Sequence, residues 1–220
     1  MKAIITGTTG MVGKGVLLEC LDSKDVTEVL LINRRPLGIK HSKIKEIILE
    51  DFSQLASIED QLQGYDACFH CMGVSAVGLS EERYNEITFG ITRMLVDMLY
   101  KANQKMTFNY VSGAGTDETE SGRLMWARVK GKTENYVLNK GFEHTYMFRP
   151  GAIVPEKGIK SSTGWYNAFY VISRPLFPLF RKMNSITTSE RIGLAMINTV
   201  LNAPQIRYLE NKDINELAKK

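Results

Sequence analysis

Eight residues near the N-terminus constrain the fold of this chain more than any other stretch. Thr6-Gly7-Thr8-Thr9-Gly10-Met11-Val12-Gly13 follows a short apolar run, Lys2–Thr6, and opens a helical pattern, Met11–Leu21. A glycine triplet at this spacing between a strand and a helix has a physical reading. Gly7 permits a tight turn, Gly10 lets backbone approach a pyrophosphate, and Gly13 lets helix and strand pack closely. The free N–H groups at the helix start then face the phosphates. Gly7, Thr9, Gly10, Met11, Val12 and Gly13 are therefore the loop's candidate contacts to a dinucleotide.

The rest of the chain repeats the alternation that the loop begins. Apolar strand patterns at Glu28–Asn33, Ile44–Leu49, Asp66–Cys71, Met106–Ser112 and Glu143–Arg149 are separated by helical ones. Ser53–Gln63 reads as a helix with Ser53 as N-cap and Gly64 as stop, and Glu81–Asn103 as a long helix capped by Ser80. Ile87, Ile91, Met94, Leu95, Met98 and Leu99 fall on one face of the long helix. Arg123–Lys140 reads as a further helix. Alternating strands and helices imply right-handed βαβ units and a doubly wound parallel sheet of the Rossmann type. After Pro150-Gly151 the alternation stops. Residues 1–150 form a dinucleotide-binding core and 151–220 a small, helical substrate-side segment of the same single domain, with a last helix at Ser189–Asn202 capped by Ser189.

Composition removes several alternatives. The 220 residues are 44% hydrophobic and 24% charged, as in ordinary globular domains. Net charge is +4, and the basic residues are scattered, so no nucleic-acid stripe is read. The odd cysteine count (Cys20, Cys68, Cys71) and the lack of a signal-peptide pattern predict a reducing, cytoplasmic location. The apolar stretch Thr163–Phe180 is broken by Arg174, Pro175 and Pro178 and is too short to span a membrane.

Cofactor choice turns on the end of the second strand. Sites that prefer NAD usually place an acid there, on the ribose 2′-hydroxyl. This chain has Asn33-Arg34-Arg35. Guanidinium groups grip a 2′-phosphate, which favours NADP(H) over NAD(H). Asp51-Phe52 follows the third strand, where the acid could accept from an adenine amino group or equally serve the turn. Gly73, after the fourth strand, lets backbone pass near the cofactor.

Taken with Tyr110-Val111-Ser112, Val129-Lys130-Gly131-Lys132-x-Glu134 and Phe148-Arg149-Pro150-Gly151, the loop resembles the short-chain dehydrogenase/reductase superfamily, atypical branch. Within it, the chain is similar to the subgroup of Tat-interacting-protein-like reductases and NAD-dependent epimerase/dehydratase-like proteins. The resemblance runs from Met1 to about Asn202. It implies that Ser112 orients a substrate carbonyl and that Lys130 bonds the nicotinamide ribose. Pro150, Gly151 and Ala152 would line the nicotinamide. The family's Tyr-x-x-x-Lys is broken: the residue four before Lys130 is Trp126, whose indole is a donor only. Tyr84, Tyr110 and Tyr136 are not clean replacements.

Cys68-x-x-Cys71 lies inside a strand, where positions three apart face opposite sides, so it reads as two buried small residues rather than a redox pair. His41, His70 and His144 lack ligand spacing, which excludes zinc. Trp165, Tyr166, Phe169, Tyr170, Leu176, Phe177 and Phe180 read as core and pocket wall. The expected activity is NADPH-dependent oxidoreduction of a small, apolar substrate. The alternative is a non-catalytic NADP(H)-binding protein with a protein partner, and a sugar-nucleotide epimerase ranks last. The helices Glu81–Asn103 and Arg123–Lys140 could form a homodimer face or equally be covered in a monomer.

Overall fold

The computed structural model describes residues 1–159 and 185–220; the aromatic segment Gly164–Lys182 lies outside the described residues. In chain order, β1 (Lys2–Thr6) leads through the glycine loop into α1 (Met11–Asp22), then β2 (Glu28–Asn33) and β3 (Ile44–Ile48). A 3-10 helix (Phe52–Leu62) precedes β4 (Ala67–His70). The long helix consists of α2 (Glu81–Asn85), a π-helical turn (Glu86–Gly90) and α3 (Ile91–Ala102). β5 (Thr107–Val111), α4 (Met125–Leu138) and β6 (His144–Arg149) follow. Last come β7 (Ala152–Val154), β8 (Ile186–Thr188), α5 (Ser189–Asn202), β9 (Tyr208–Glu210) and α6 (Asn211–Leu217).

Seven strands form one sheet in the order β3-β2-β1-β4-β5-β6-β9, and each neighbouring pair runs parallel. This is the doubly wound Rossmann arrangement that the alternation predicts. Its central strands are apolar throughout because both faces are covered. Ile4, Leu30, Ile32, Cys68 and Phe108 pack under the 3-10 helix, α3 and α4. Ala3, Ile5, Val29, Leu31, Phe69 and Phe148 pack under α1, α5 and α6. Strand order reverses between β1 and β4, so the binding crevice opens at their carboxyl ends.

Helices α1 and α5 approach closely because each presents a glycine to the other. A Cβ on Gly15 would lie 2.7 Å from Ser189 Cβ, and one on Gly193 would lie 2.6 Å from Glu19 Cγ. The carboxyl end of α1 is closed by a cation. Lys43 Nζ donates to the Leu21 carbonyl at 2.7 Å and the Ser23 carbonyl at 2.6 Å, at the negative end of the helix dipole.

Several local readings are corrected. The 52–62 helix is 3-10, and its cap is Asp51, whose carboxylate accepts from the Ser53 N–H at 2.8 Å. Thr188 rather than Ser189 caps α5, accepting from the Arg191 N–H at 3.1 Å. The long helix keeps its Ser80 cap but is widened by the π turn, beside which the Thr92 hydroxyl bonds the Thr88 carbonyl at 2.6 Å. β7, β8 and β9 are three residues each, too short for any periodicity to show. β9 extends the main sheet beside β6, while β7 and β8 pair with each other. No described helix is long and apolar enough to cross a membrane.

Candidate cofactor site

The three loop glycines are there for different reasons. Gly7 adopts φ +73, and a Cβ on it would lie 2.7 Å from Cys71 backbone. A Cβ on Gly13 would lie 2.3 Å from the Gly7 carbonyl oxygen. Chain packing alone therefore demands these two. Gly10, the N-cap of α1, has an ordinary φ of −83, and a Cβ there would meet only the Gly7 oxygen, at 3.3 Å. No side chain caps this helix start among the described residues, and its first turn holds no acid. An uncapped helix N-terminus fronted by a glycine that the turn itself does not require fits a pyrophosphate. Thr9 is exposed beside it, and Met11 and Val12 are half-buried.

At the end of β2, Asn33 is buried and fully engaged. Its Oδ1 accepts from the Thr8 hydroxyl at 2.8 Å, and its Nδ2 donates to Glu46 Oε1 at 2.8 Å. Asn33 thus braces the loop rather than facing a ligand. Arg34 and Arg35 are exposed, and neither side chain makes an ion pair or hydrogen bond among the described residues. Phe52 is turned into the core beneath β1, β2 and β4, so it does not reach an adenine. Asp51 is exposed but spends one oxygen on its cap. Gly73 is exposed, with open space where a Cβ would stand.

The nicotinamide end carries the larger departure from expectation. The Ser112 hydroxyl donates to Glu134 and also lies 3.2 Å from the Phe148 carbonyl. Ser112 is only 8% exposed, and Glu134 is fully buried. A hydroxyl has one proton to give, so here Ser112 has none for a substrate carbonyl. Glu134 is held in turn by Arg149, whose Nε donates to it at 3.0 Å and whose Nη2 closes the pair. Arg149 also reaches Glu118 at 3.0 Å and lies over the Tyr208 ring at 4.2 Å. The helical period places Trp126, Lys130 and Glu134 one turn apart on α4. Glu134 and Arg149 stand inside the quoted motifs, but their partnership with Ser112 was not legible from spacing.

Lys130 Nζ donates to the Ser112 carbonyl at 2.6 Å and approaches that of Val111 at 3.4 Å. Burial brings its pKa down to about 8, against the opposing pull of Glu134. The Trp126 ring lies 3.7 Å from where a Gly115 Cβ would stand. Tyr84 and Tyr110 are buried, which raises both phenols, and the Tyr136 hydroxyl donates to Asp97 at 2.5 Å. Pro150 and Gly151 spend polar groups within the chain: the Pro150 carbonyl accepts from Ala114 N at 3.0 Å, and Gly151 N donates to Asn211 Oδ1 at 3.1 Å. Ala152 is exposed.

Beneath the crevice runs a buried polar chain that the sequence did not suggest. Thr6 and His70 are in register on β1 and β4, and Thr6 Oγ1 lies 2.7 Å from His70 Nδ1. His70 Nε2 lies 3.0 Å from Thr92 Oγ1. Thr92 gives its own proton to the Thr88 carbonyl, so Nε2 carries the imidazole proton and Nδ1 accepts. Burial pushes the His70 pKa down to about 3. Between about pH 6.5 and 3 the unfolded chain binds a proton that the folded one refuses. Stability is therefore expected to fall with falling pH in that window, by at most about 1.4 kcal/mol per pH unit from this group. Denaturant unfolding of the wild type and His70→Gln from pH 7 to 4 reads it as a gap that changes with pH; a constant gap refutes it. Among the described residues, no group of three His, Cys, Asp or Glu is placed to hold a metal ion.

Comparison with known proteins agrees with the fold. The chain is 27% identical to Protein HTATIP2 of Rattus norvegicus over 222 residues, covering 99% of this chain and 89% of that one. It is 23% identical to Protein FMP52, mitochondrial, of Meyerozyma guilliermondii, covering 100% and 96%. Among solved structures, Bordetella bronchiseptica WbmF in complex with NAD+ superposes with a TM-score of 0.68 at 15% identity, covering 99% of this chain and 76% of that one. Yeast methylglyoxal/isovaleraldehyde reductase Gre2 complexed with NADPH gives 0.68 at 10%, covering 96% and 77%. These structures share the fold. The mitochondrial FMP52 relatives conflict with the expected cytoplasmic location, and that expectation is withdrawn. The NAD dependent epimerase/dehydratase model matches residues 3–122, and the chain belongs to that family.

Proposed function

We propose that the protein binds NADP(H) in preference to NAD(H) and uses it to reduce a small, apolar carbonyl compound. The observation that carries this reading is the pair Arg34 and Arg35, exposed at the crevice end of β2 without a carboxylate partner among the described residues. Two unneutralised guanidinium groups suit a phosphate dianion. The helix start at Gly10–Gly13 would hold the pyrophosphate. The bound nicotinamide supplies a hydride. Lys130, tied to the Ser112 carbonyl, would bond the nicotinamide ribose, as the family resemblance implies. With its pKa near 8 it carries a proton it can release near neutral pH. Trp126 and the exposed Leu124 (59%) offer apolar surface at the start of α4.

A second reading, a protein that holds NADP(H) without turning it over, has its own support. The Ser112 hydroxyl is committed to Glu134, and Trp126 stands in place of a titrating phenol. One experiment separates the readings. In calorimetric titration, the wild type is expected to bind NADPH tightly and NADH weakly. The double substitution Arg34→Ala/Arg35→Ala should lower NADPH affinity about 100-fold and NADH affinity less than threefold, since charge-assisted bonds contribute about 1.5–3 kcal/mol. Equal binding of both nucleotides, unchanged by the substitutions, rejects the NADP reading. NADPH consumption with a panel of apolar aldehydes and ketones favours the reductase, and binding without consumption favours the second reading.

A further inference from the structure

An acid does stand at the mouth of the second strand, contributed by its neighbour. Glu46 lies on β3, in register with Leu31 of β2. Its side chain reaches along the sheet to the end of β2. There Oε1 accepts from Asn33 Nδ2 at 2.8 Å and from the Leu37 N–H at 3.0 Å. These bonds close the turn that carries Arg34 and Arg35. Through Asn33 they continue to the Thr8 hydroxyl in the glycine loop, at 2.8 Å. Glu46 is exposed, and its carboxylate closes the same turn that carries the two arginines, where a bound ligand can meet it. It forms no ion pair with either of them.

We propose that Glu46 is a specificity-determining residue that weakens the binding of a 2′-phosphorylated adenosine relative to its unphosphorylated counterpart, against the pull of Arg34 and Arg35. The inference deepens the NADP(H) reading and rests on the same end of the site. Its two roles are separable. As an acceptor, Glu46 braces the turn and the loop for any adenine dinucleotide. As a charge, it acts most on the additional phosphate at its own edge of the crevice, and less on the 5′-phosphate at the glycine loop. One unit charge facing a dianion across several ångströms of water-rich surface changes affinity by about tenfold. Glutamine keeps the acceptor and removes the charge. Alanine removes both.

The probes are adenosine 2′,5′-bisphosphate and adenosine 5′-monophosphate, titrated into the whole protein at low and at high salt. Glu46→Gln is expected to raise affinity for the bisphosphate five- to twentyfold at low salt, less at high salt, and to move the monophosphate by a much smaller factor, less than threefold. Glu46→Ala should weaken the monophosphate as well, because the brace is gone. If Glu46→Gln moves both probes in parallel, or neither, Glu46 is a brace alone and the proposal is overturned. The NADP reading fails on a different result: a wild type that does not prefer the bisphosphate, with no response to Arg34→Ala/Arg35→Ala. The shift between wild type and Glu46→Gln is still read in that case.

Discussion

Replacing Arg149 with methionine is expected to destabilise the protein by about 3–5 kcal/mol, because it leaves the Glu134 carboxylate buried without its cation. Glu134 has no exposure to water, and Arg149 supplies its Nε and Nη2 contacts. The same substitution removes the guanidinium from the Tyr208 ring on β9, the last strand of the sheet. For a chain of 220 residues such a loss corresponds to a fall in Tm of about 10 °C. Glu134→Gln/Arg149→Met should recover most of it, since an amide costs far less to bury than a carboxylate and still accepts from Ser112. Thermal unfolding of the two variants tests the argument. If the single and double variants melt together, the pair is not what holds this end of the sheet.

The second large effect divides the glycine loop. Gly13→Ala forces a Cβ to 2.3 Å from the Gly7 oxygen and 2.7 Å from its carbonyl carbon, both backbone atoms that cannot turn aside. It is expected to cost about 3 kcal/mol or more and to abolish dinucleotide binding with it. Gly10→Ala meets only one atom, at 3.3 Å. Its stability loss should stay within about 1 kcal/mol, the scale of a poor N-cap residue, while affinity for the nicotinamide dinucleotide falls at least tenfold. The contrast is the useful readout, because a generic weakening of the loop would move stability and binding together. A Gly10→Ala protein that binds the dinucleotide as the wild type does would mean that no phosphate lies against that position.

Both predictions concern residues that the sequence had already marked, yet they differ in how far it explained them. The glycine spacing states its own reason, since a turn, a close approach and a helix start are local events within eight residues. The alternation of apolar strands and helices is equally local in origin, and it sufficed for the parallel sheet. Capping was less well resolved: Asp51 and Thr188 took the places assigned to Ser53 and Ser189, because neighbouring polar residues compete for the same free N–H groups. The three-residue strands β7, β8 and β9 had no period to show, and only their partners define them.

The site itself divides along the same line. From its residues alone, the chain determined that a Rossmann sheet would carry a glycine loop and two arginines at the carboxyl ends of its first two strands. Those residues are set by backbone sterics and by their positions at strand and helix ends. Tertiary structure decided what the polar groups do there. The Ser112 hydroxyl belongs to Glu134, 22 residues away in sequence, and Asn33 belongs to Thr8 and to Glu46 on the adjacent strand. His70 is a neutral link between Thr6 and Thr92. Each side chain has a donor or acceptor that burial obliges it to satisfy, and the partner it finds depends on which strands lie side by side, a fact that spacing along the chain does not contain.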